Sequence, residues 1–112
     1  MKWIVIVGLL LLAAVPVKAK DAKTERLWKA KCASCHGVDG KAQTEQGKKM
    51  SMHDITTAAW QKSVTDDQIK KTITGGGASV GKSPIMPAQP DLAQKPEVLD
   101  GLVKIIRGFG SS

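Results

Sequence analysis

Apolar residues fall into two unlike regimes along this 112-residue chain: one dense run near the start, then sparser positions at helical intervals. From Trp3 to Val17 the chain is apolar over 15 residues, broken only by Gly8 and Pro16 and bounded by Lys2 and Lys18. Beyond it, residues 21 to about 33 read as a first helix. Asp21 and Glu25 come early and Lys29 and Lys31 late, matching the helix dipole, while Leu27 and Trp28 form an apolar side. Residues 37–53 are rich in Gly, Lys, Gln and Ser and read as an irregular loop. A short helix is then expected over residues 54–60, capped by Asp54 or Thr56 and ending in Trp60.

The next helix is marked more fully. Thr65-Asp66-Asp67-Gln68 has the form of a capping box, and Val64 with Ile69 has the spacing of a hydrophobic staple. Ile69 and Ile73 share one face, and Gly75-Gly76-Gly77 stops the helix. Residues 75–90 form a Gly/Pro/Ser loop long enough to require a task. Pro96 opens a last helix, with Glu97 in its first turn and Arg107 in its last. Val98, Leu99, Leu102, Val103, Ile106 and Phe109 give that helix a broad apolar face. Gly101 inside it costs about 1 kcal/mol relative to Ala, which points to a close crossing with the first helix. No strand, repeat or low-complexity tract is evident.

The apolar run changes the domain count. A basic start, a 15-residue apolar stretch and the small residue of Val17-Lys18-Ala19 describe a secretory signal peptide, residues 1–19, cleaved after Ala19. The stretch falls short of the roughly 20 residues a transmembrane helix needs, so retention as an anchor is the weaker reading. What is left, residues 20–112, is one domain of 93 residues (112 less 19) with net charge +5 once Lys2 and Lys18 are removed. Its aromatics are Trp28, Trp60 and Phe109 alone. Domains this small often need a metal, disulfide or cofactor to complete a core.

Composition therefore directs attention to Lys31-Cys32-Ala33-Ser34-Cys35-His36-Gly37. Two cysteines in an exported protein ordinarily suggest a disulfide, but C-x-x-C-H is the attachment pattern of c-type haem. Two thiols must reach two vinyl groups along one porphyrin edge while the adjacent imidazole faces the iron, and one helical turn brings the three together. Gly37 lets the backbone pass close by. A thioredoxin-like dithiol would want a preceding strand, and zinc would want two further donors where only His53 and carboxylates remain. For the other side of the iron, Ser83-Pro84-Ile85-Met86-Pro87-Ala88 is distinctive. Its two prolines steer Ser83 and Met86 away from helix and yield a stiff loop presenting Met86. Met50, Met52 and His53 are competitors, read instead as packing and surface residues. Trp60 is read as core filling, with the haem edge as the alternative.

In order, a helix running into C-x-x-C-H, a Gly-closed helix, a Met-Pro loop and a terminal helix with Ile106-Arg107-Gly108-Phe109 resemble the short bacterial class I monohaem cytochromes c, over residues 21–109. The resemblance implies an all-α cytochrome c fold: about four short helices around one covalently attached haem c, the first and last crossing. It makes Cys32 and Cys35 the thioether residues, His36 the proximal iron ligand and Met86 the distal one. Two departures stand out. No proline follows the motif until Pro84, so the acceptor that orients the proximal imidazole in relatives has no counterpart by residue type. Ile105 stands where relatives often carry an aromatic, a gap that packing against Trp28 is expected to fill.

The function implied is outer-sphere electron transfer through an exposed haem edge by a periplasmic carrier that is not an enzyme and is soluble after signal removal. It is expected to be a monomer serving redox partner proteins, without nucleic acid or stable membrane insertion. Lys29, Lys31, Lys41, Lys48, Lys49, Lys62 and Lys82 lie near segments that should surround that edge, either as a docking surface for acidic partners or as an ordinary solvated face. The rivals are a dedicated electron-transfer subunit of a larger oxidoreductase and an open-iron sensor or peroxidase, against which Met86 argues.

Overall fold

The computed structural model describes residues 19–111. The expected signal segment lies outside the described residues up to Lys18. The described chain is helical, with no strand. Six α-helices occur: α1 (Ala19–Lys31), α2 (Ala33–His36), α3 (Glu45–Lys49), α4 (Ala58–Ser63), α5 (Asp66–Gly75) and α6 (Pro96–Phe109). Short 3₁₀ turns at Gly77–Val80 and Pro90–Gln94 complete the path. Among the described residues no helix is long and apolar enough to cross a membrane.

The long amphipathic helices pack as their patterns require. On α6, Leu99, Leu102, Val103 and Ile106 are buried, joined by Trp28 of α1, Ile69 and Ile73 of α5, Ile55 and Leu92. The two longest helices cross where Gly101 faces Thr24, and a Cβ at Gly101 would lie 2.9 Å from the Thr24 side chain. The glycine thus exchanges helix propensity for a close approach. Beside the crossing, Trp28 meets Phe109 with ring centroids 5.3 Å apart, so Phe109 rather than Ile105 supplies the aromatic partner.

Three expectations need correction. The segment 37–53 is not wholly irregular: Thr44 caps α3 by accepting from Gly47 N–H, with Glu45 in its first turn and Lys48 and Lys49 in its last. The helix expected over 54–60 starts later. Thr57 is its cap, while the Asp54 carboxylate instead accepts from Thr56 N–H and Thr56 Oγ1, closing a turn before it. Six helices replace about four, the additions being a single turn each. The capping box of α5 forms in full: Thr65 accepts from Gln68 N–H and Gln68 accepts from Thr65 N–H.

Arg107 ties three helices together. Its guanidinium donates to the Gln61 and Val64 carbonyls at 2.6 and 2.7 Å, at the C-terminal end of α4, and pairs with Asp66 in the first turn of α5. The Gln61 amide in turn donates to the Ile55 and Ile106 carbonyls.

Candidate functional site

The C-x-x-C-H motif sits where α1 ends and one tight turn follows. Cys32 N–H still donates to the Trp28 carbonyl at 2.9 Å, continuing α1, while His36 N–H donates to the Cys32 carbonyl at 3.0 Å inside the next turn. Cys32, Cys35 and His36 therefore occupy a single short stretch, all partly buried, the two thiols not joined in a disulfide. Gly37 then turns the chain with φ of +82°, a left-handed conformation that favours glycine.

Three successive carbonyls are satisfied here, two by the loop that folds back on the motif and one by α1. The Thr44 hydroxyl donates to Cys35 O at 2.6 Å, Ala42 N–H to His36 O at 2.8 Å, and the Trp28 indole N–H to Gly37 O at 3.1 Å. Thr44 thus works twice, capping α3 and holding the motif. A Thr-Glu pair before two lysines was the available sign of that helix start.

Electrostatics suit metal ligation better than thiol chemistry. Burial, followed by the neighbouring Cys35, pushes the Cys32 thiol up to about 11. At neutral pH it is protonated, unlike the thiolates of redox or nucleophilic sites. Burial lowers the pKa of His36, favouring the neutral imidazole that binds iron. Its Nδ1 is buried with no hydrogen-bond partner among the described residues. Among the described residues, then, no other group replaces the missing proline acceptor. Among the described residues no cluster of three or more His, Cys, Asp or Glu is placed to hold a metal ion, so a zinc site lacks its donors.

Met86 comes from a separate loop latched to the end of α5. Gly77 N–H donates to Met86 O at 3.1 Å, and Gln89 N–H to Ile73 O at 2.9 Å. The side chain of Met86 is partly buried against the same apolar cluster that Cys32 borders, while Ile85 beside it is 64% exposed. The latch needs glycines: a Cβ on Gly76 would sit 2.9 Å from Ala88 N, and one on Gly77 would collide with Ser83 O. The Gly75-Gly76-Gly77 run is more than a helix stop.

A groove of about 490 Å³ lies between Gln46, Lys49 and Met50 on one side and Ser83 and Ile85 on the other. One wall belongs to the segment tied to Cys35 through Thr44, the other to the loop carrying Met86. Of the competitors, Met50 lines this groove, Met52 is partly buried and His53 is exposed. Trp60 packs against the core. Lys29, Lys31, Lys41, Lys48, Lys49, Lys62 and Lys82 are all exposed. Two adjacent unpaired thiols, a partly buried imidazole with a lowered pKa and an apolar cluster with few aromatics of its own form a donor set and surroundings that fit a covalently held haem.

Comparison with known proteins agrees with this fit. The model of the family described as cytochrome c oxidase, cbb3-type, subunit III matches residues 19–104. Over 74 residues the chain is 42% identical to the cbb3-type cytochrome c oxidase subunit CcoP of Rubrivivax gelatinosus, a stretch covering 62% of this chain and 22% of that protein. The chain thus spans only about a fifth of that relative's length. Among solved structures, the c-type cytochrome KustC0563 is similar with a TM-score of 0.62 and 30% identity, over 77% of this chain and 95% of that one. With the all-α fold shared and most of its length matched, the chain belongs to the cbb3-type cytochrome c oxidase subunit III family of c-type cytochromes, electron-transfer proteins with covalently bound haem c.

Proposed function

We propose that this chain is a periplasmic single-electron carrier with one haem c, fixed by thioethers from Cys32 and Cys35 and ligated by His36 and Met86. When bound, the haem supplies a one-electron couple between ferric and ferrous iron. The observation that carries the reading is the pairing of a partly buried imidazole, its pKa lowered by burial, on the C-x-x-C-H turn with a latched loop that packs Met86 against the apolar cluster that Cys32 borders. A thioether ligand favours reduced iron and raises the potential. It also leaves no open coordination position, which favours transfer over ligand chemistry. Residues 1–19 serve as a cleaved signal peptide in this reading, and residues 20–112 form the monomeric, soluble cytochrome domain.

The chain's own residues shape the encounter with partners. Lys48, Lys49 and Lys82 are exposed on and beside the two walls of the groove, with Ile85 exposed between Pro84 and Met86. Positive charge there steers an acidic redox partner and makes docking fast, brief and salt-sensitive. A second reading has its own observation: the likeness to CcoP, an oxidase subunit, favours a dedicated electron-transfer component of a cbb3-type assembly. Co-purification with membrane-bound oxidase subunits at moderate salt separates it from the free carrier, which elutes alone.

The test of cofactor attachment is the denatured mass of protein exported from a host with c-type haem maturation. The carrier reading expects residues 20–112 plus one haem, retained in acid-acetone. Cys32→Ala and Cys35→Ala should each leave a single thioether, visible as a red-shifted reduced pyridine haemochrome. A Cys32–Cys35 disulfide without haem would overturn the reading.

A further inference from the structure

The buried Nδ1 of His36 has no hydrogen-bond partner among the described residues. A ligating imidazole is ordinarily oriented through its non-ligating N–H, which bonds a carbonyl or carboxylate. Without that bond the torsion about Cβ–Cγ is soft, because sp³–sp² torsions have broad wells. The plane of the His36 ring must therefore be set by something other than a hydrogen bond on the ring itself.

Trp28 is the group placed to do this. Its ring centroid lies 5.8 Å from that of His36, with the planes inclined by 35°. Trp28 is itself only 4% exposed, and its indole is held on another side by Phe109 at 5.3 Å. It grips the chain on both flanks of His36: its carbonyl accepts from Cys32 N–H, and its indole N–H donates to the carbonyl of Gly37. A wall fixed at both ends of the motif can set a ring plane that no hydrogen bond controls. The carbonyl of His36 itself is held by Ala42 N–H at 2.8 Å, and Trp28 holds the next one, so the backbone that carries the imidazole is fixed on both counts.

We infer that Trp28 is a positioning residue for the proximal imidazole, setting the ring plane of His36 by packing and by its bond to the Gly37 carbonyl. The inference rests on the reading of His36 as an iron ligand. It accounts for how a chain without the post-motif proline keeps a defined proximal geometry. It also gives Trp28 a task beyond filling the crossing of α1 and α6.

The test uses the ferric holoprotein, in which the pattern of hyperfine-shifted haem methyl resonances depends on the orientation of the axial imidazole plane. Trp28→Phe shrinks the wall and removes the indole donor, and Arg107→Lys serves as a control that weakens the fold away from His36. Trp28→Phe is expected to reorder or markedly compress the methyl shifts and displace the midpoint potential, while Arg107→Lys lowers the thermal midpoint and leaves both unchanged. A wild-type methyl pattern and potential in Trp28→Phe overturn the inference, whatever the loss of stability. Equal changes in Arg107→Lys overturn it too, because they mark general loosening. If Trp28→Phe yields no holoprotein, Trp28→Tyr takes its place, since it too lacks the bicyclic wall and the indole donor, and is read by the same criteria. Absence of axial imidazole resonances in the wild type would instead sink the ligation reading itself, so the two failures are distinguishable.

Discussion

Replacing Arg107 with Ala removes the tie between the end of α6, the end of α4 and the start of α5. Two of its bonds go to the Gln61 and Val64 carbonyls, which belong to the end of a helix and have few other donors to take them. Hydrogen bonds involving a charged group contribute about 1.5–3 kcal/mol each. The low end applies here, because the Arg107 side chain is 29% exposed and water can reach part of the vacated space. The pair with Asp66, itself 61% exposed, adds only about 0.5 kcal/mol. Arg107→Ala should therefore cost roughly 3 kcal/mol, a large part of the roughly 5–14 kcal/mol expected of a domain this size. Urea unfolding of the holoprotein should show a midpoint lower by about 1–3 M with an unchanged slope. Arg107→Lys should recover less than half, since one ammonium cannot reproduce the fork that reaches two carbonyls and a carboxylate. The reasoning fails if Asp66→Asn costs as much as Arg107→Ala, or if Arg107→Ala costs under about 1 kcal/mol, for then the carbonyls gain little from the guanidinium.

Three further outcomes follow from the same geometry. Gly101→Ala gains about 1 kcal/mol of helix propensity but forces a methyl to 2.9 Å from Thr24, so a net loss of about 1–2 kcal/mol and a lower melting temperature are expected. Gly77→Ala should displace the Met86 loop, because its Cβ would strike the Ser83 carbonyl; weakened distal ligation, read as faster cyanide binding by the ferric protein, is the expected sign. The Asp54 carboxyl is held below its ordinary range by the hydrogen bonds from the Thr56 hydroxyl and N–H, with Lys41 assisting. A depressed folded-state pKa contributes stability above the unfolded value and loses it as pH falls through the folded one. The difference in melting temperature between wild type and Asp54→Asn should accordingly be present at pH 7 and vanish on acidification below the usual carboxylate range, and it should be small, since Asp54 is only partly buried and solvent screens its contribution.

The parts of the fold legible in the sequence are those with complete local signals. Thr65 with Gln68, Pro96 opening α6, and the spacing from Leu99 to Ile106 each specify hydrogen bonds or burial within one or two turns, and each is realised. Gly101 was readable because a glycine in an otherwise strong helix needs a neighbour close at hand, and Thr24 is that neighbour. Single-turn helices were harder to see. α3 has no apolar periodicity, and its reason for existing is the Thr44 hydroxyl shared between Gly47 N–H and Cys35 O, a tertiary arrangement. Asp54 and Thr57 both had cap chemistry, and only the path of the chain decided which took the helix and which closed the turn. At the site, C-x-x-C-H announced itself by residue type and spacing. The contacts that hold it, from Trp28, Ala42 and Thr44, join positions up to nine residues apart through loops whose course no local rule specifies. The glycines after α5 showed a helix stop, while their second task, admitting the Met86 loop, depends on backbone passing within contact distance.

The central claim is a closed, His/Met-ligated iron, and the ferric absorption spectrum tests it most directly. The wild-type holoprotein should display the weak long-wavelength charge-transfer band of a methionine sulfur bound to ferric haem iron. Met86→Ala should abolish the band while the haem stays covalently attached, and Met50→Ala and Met52→Ala should leave it intact. A wild-type spectrum without the band, accompanied by rapid carbon monoxide binding to the ferrous protein, would contradict the account and point to an open iron.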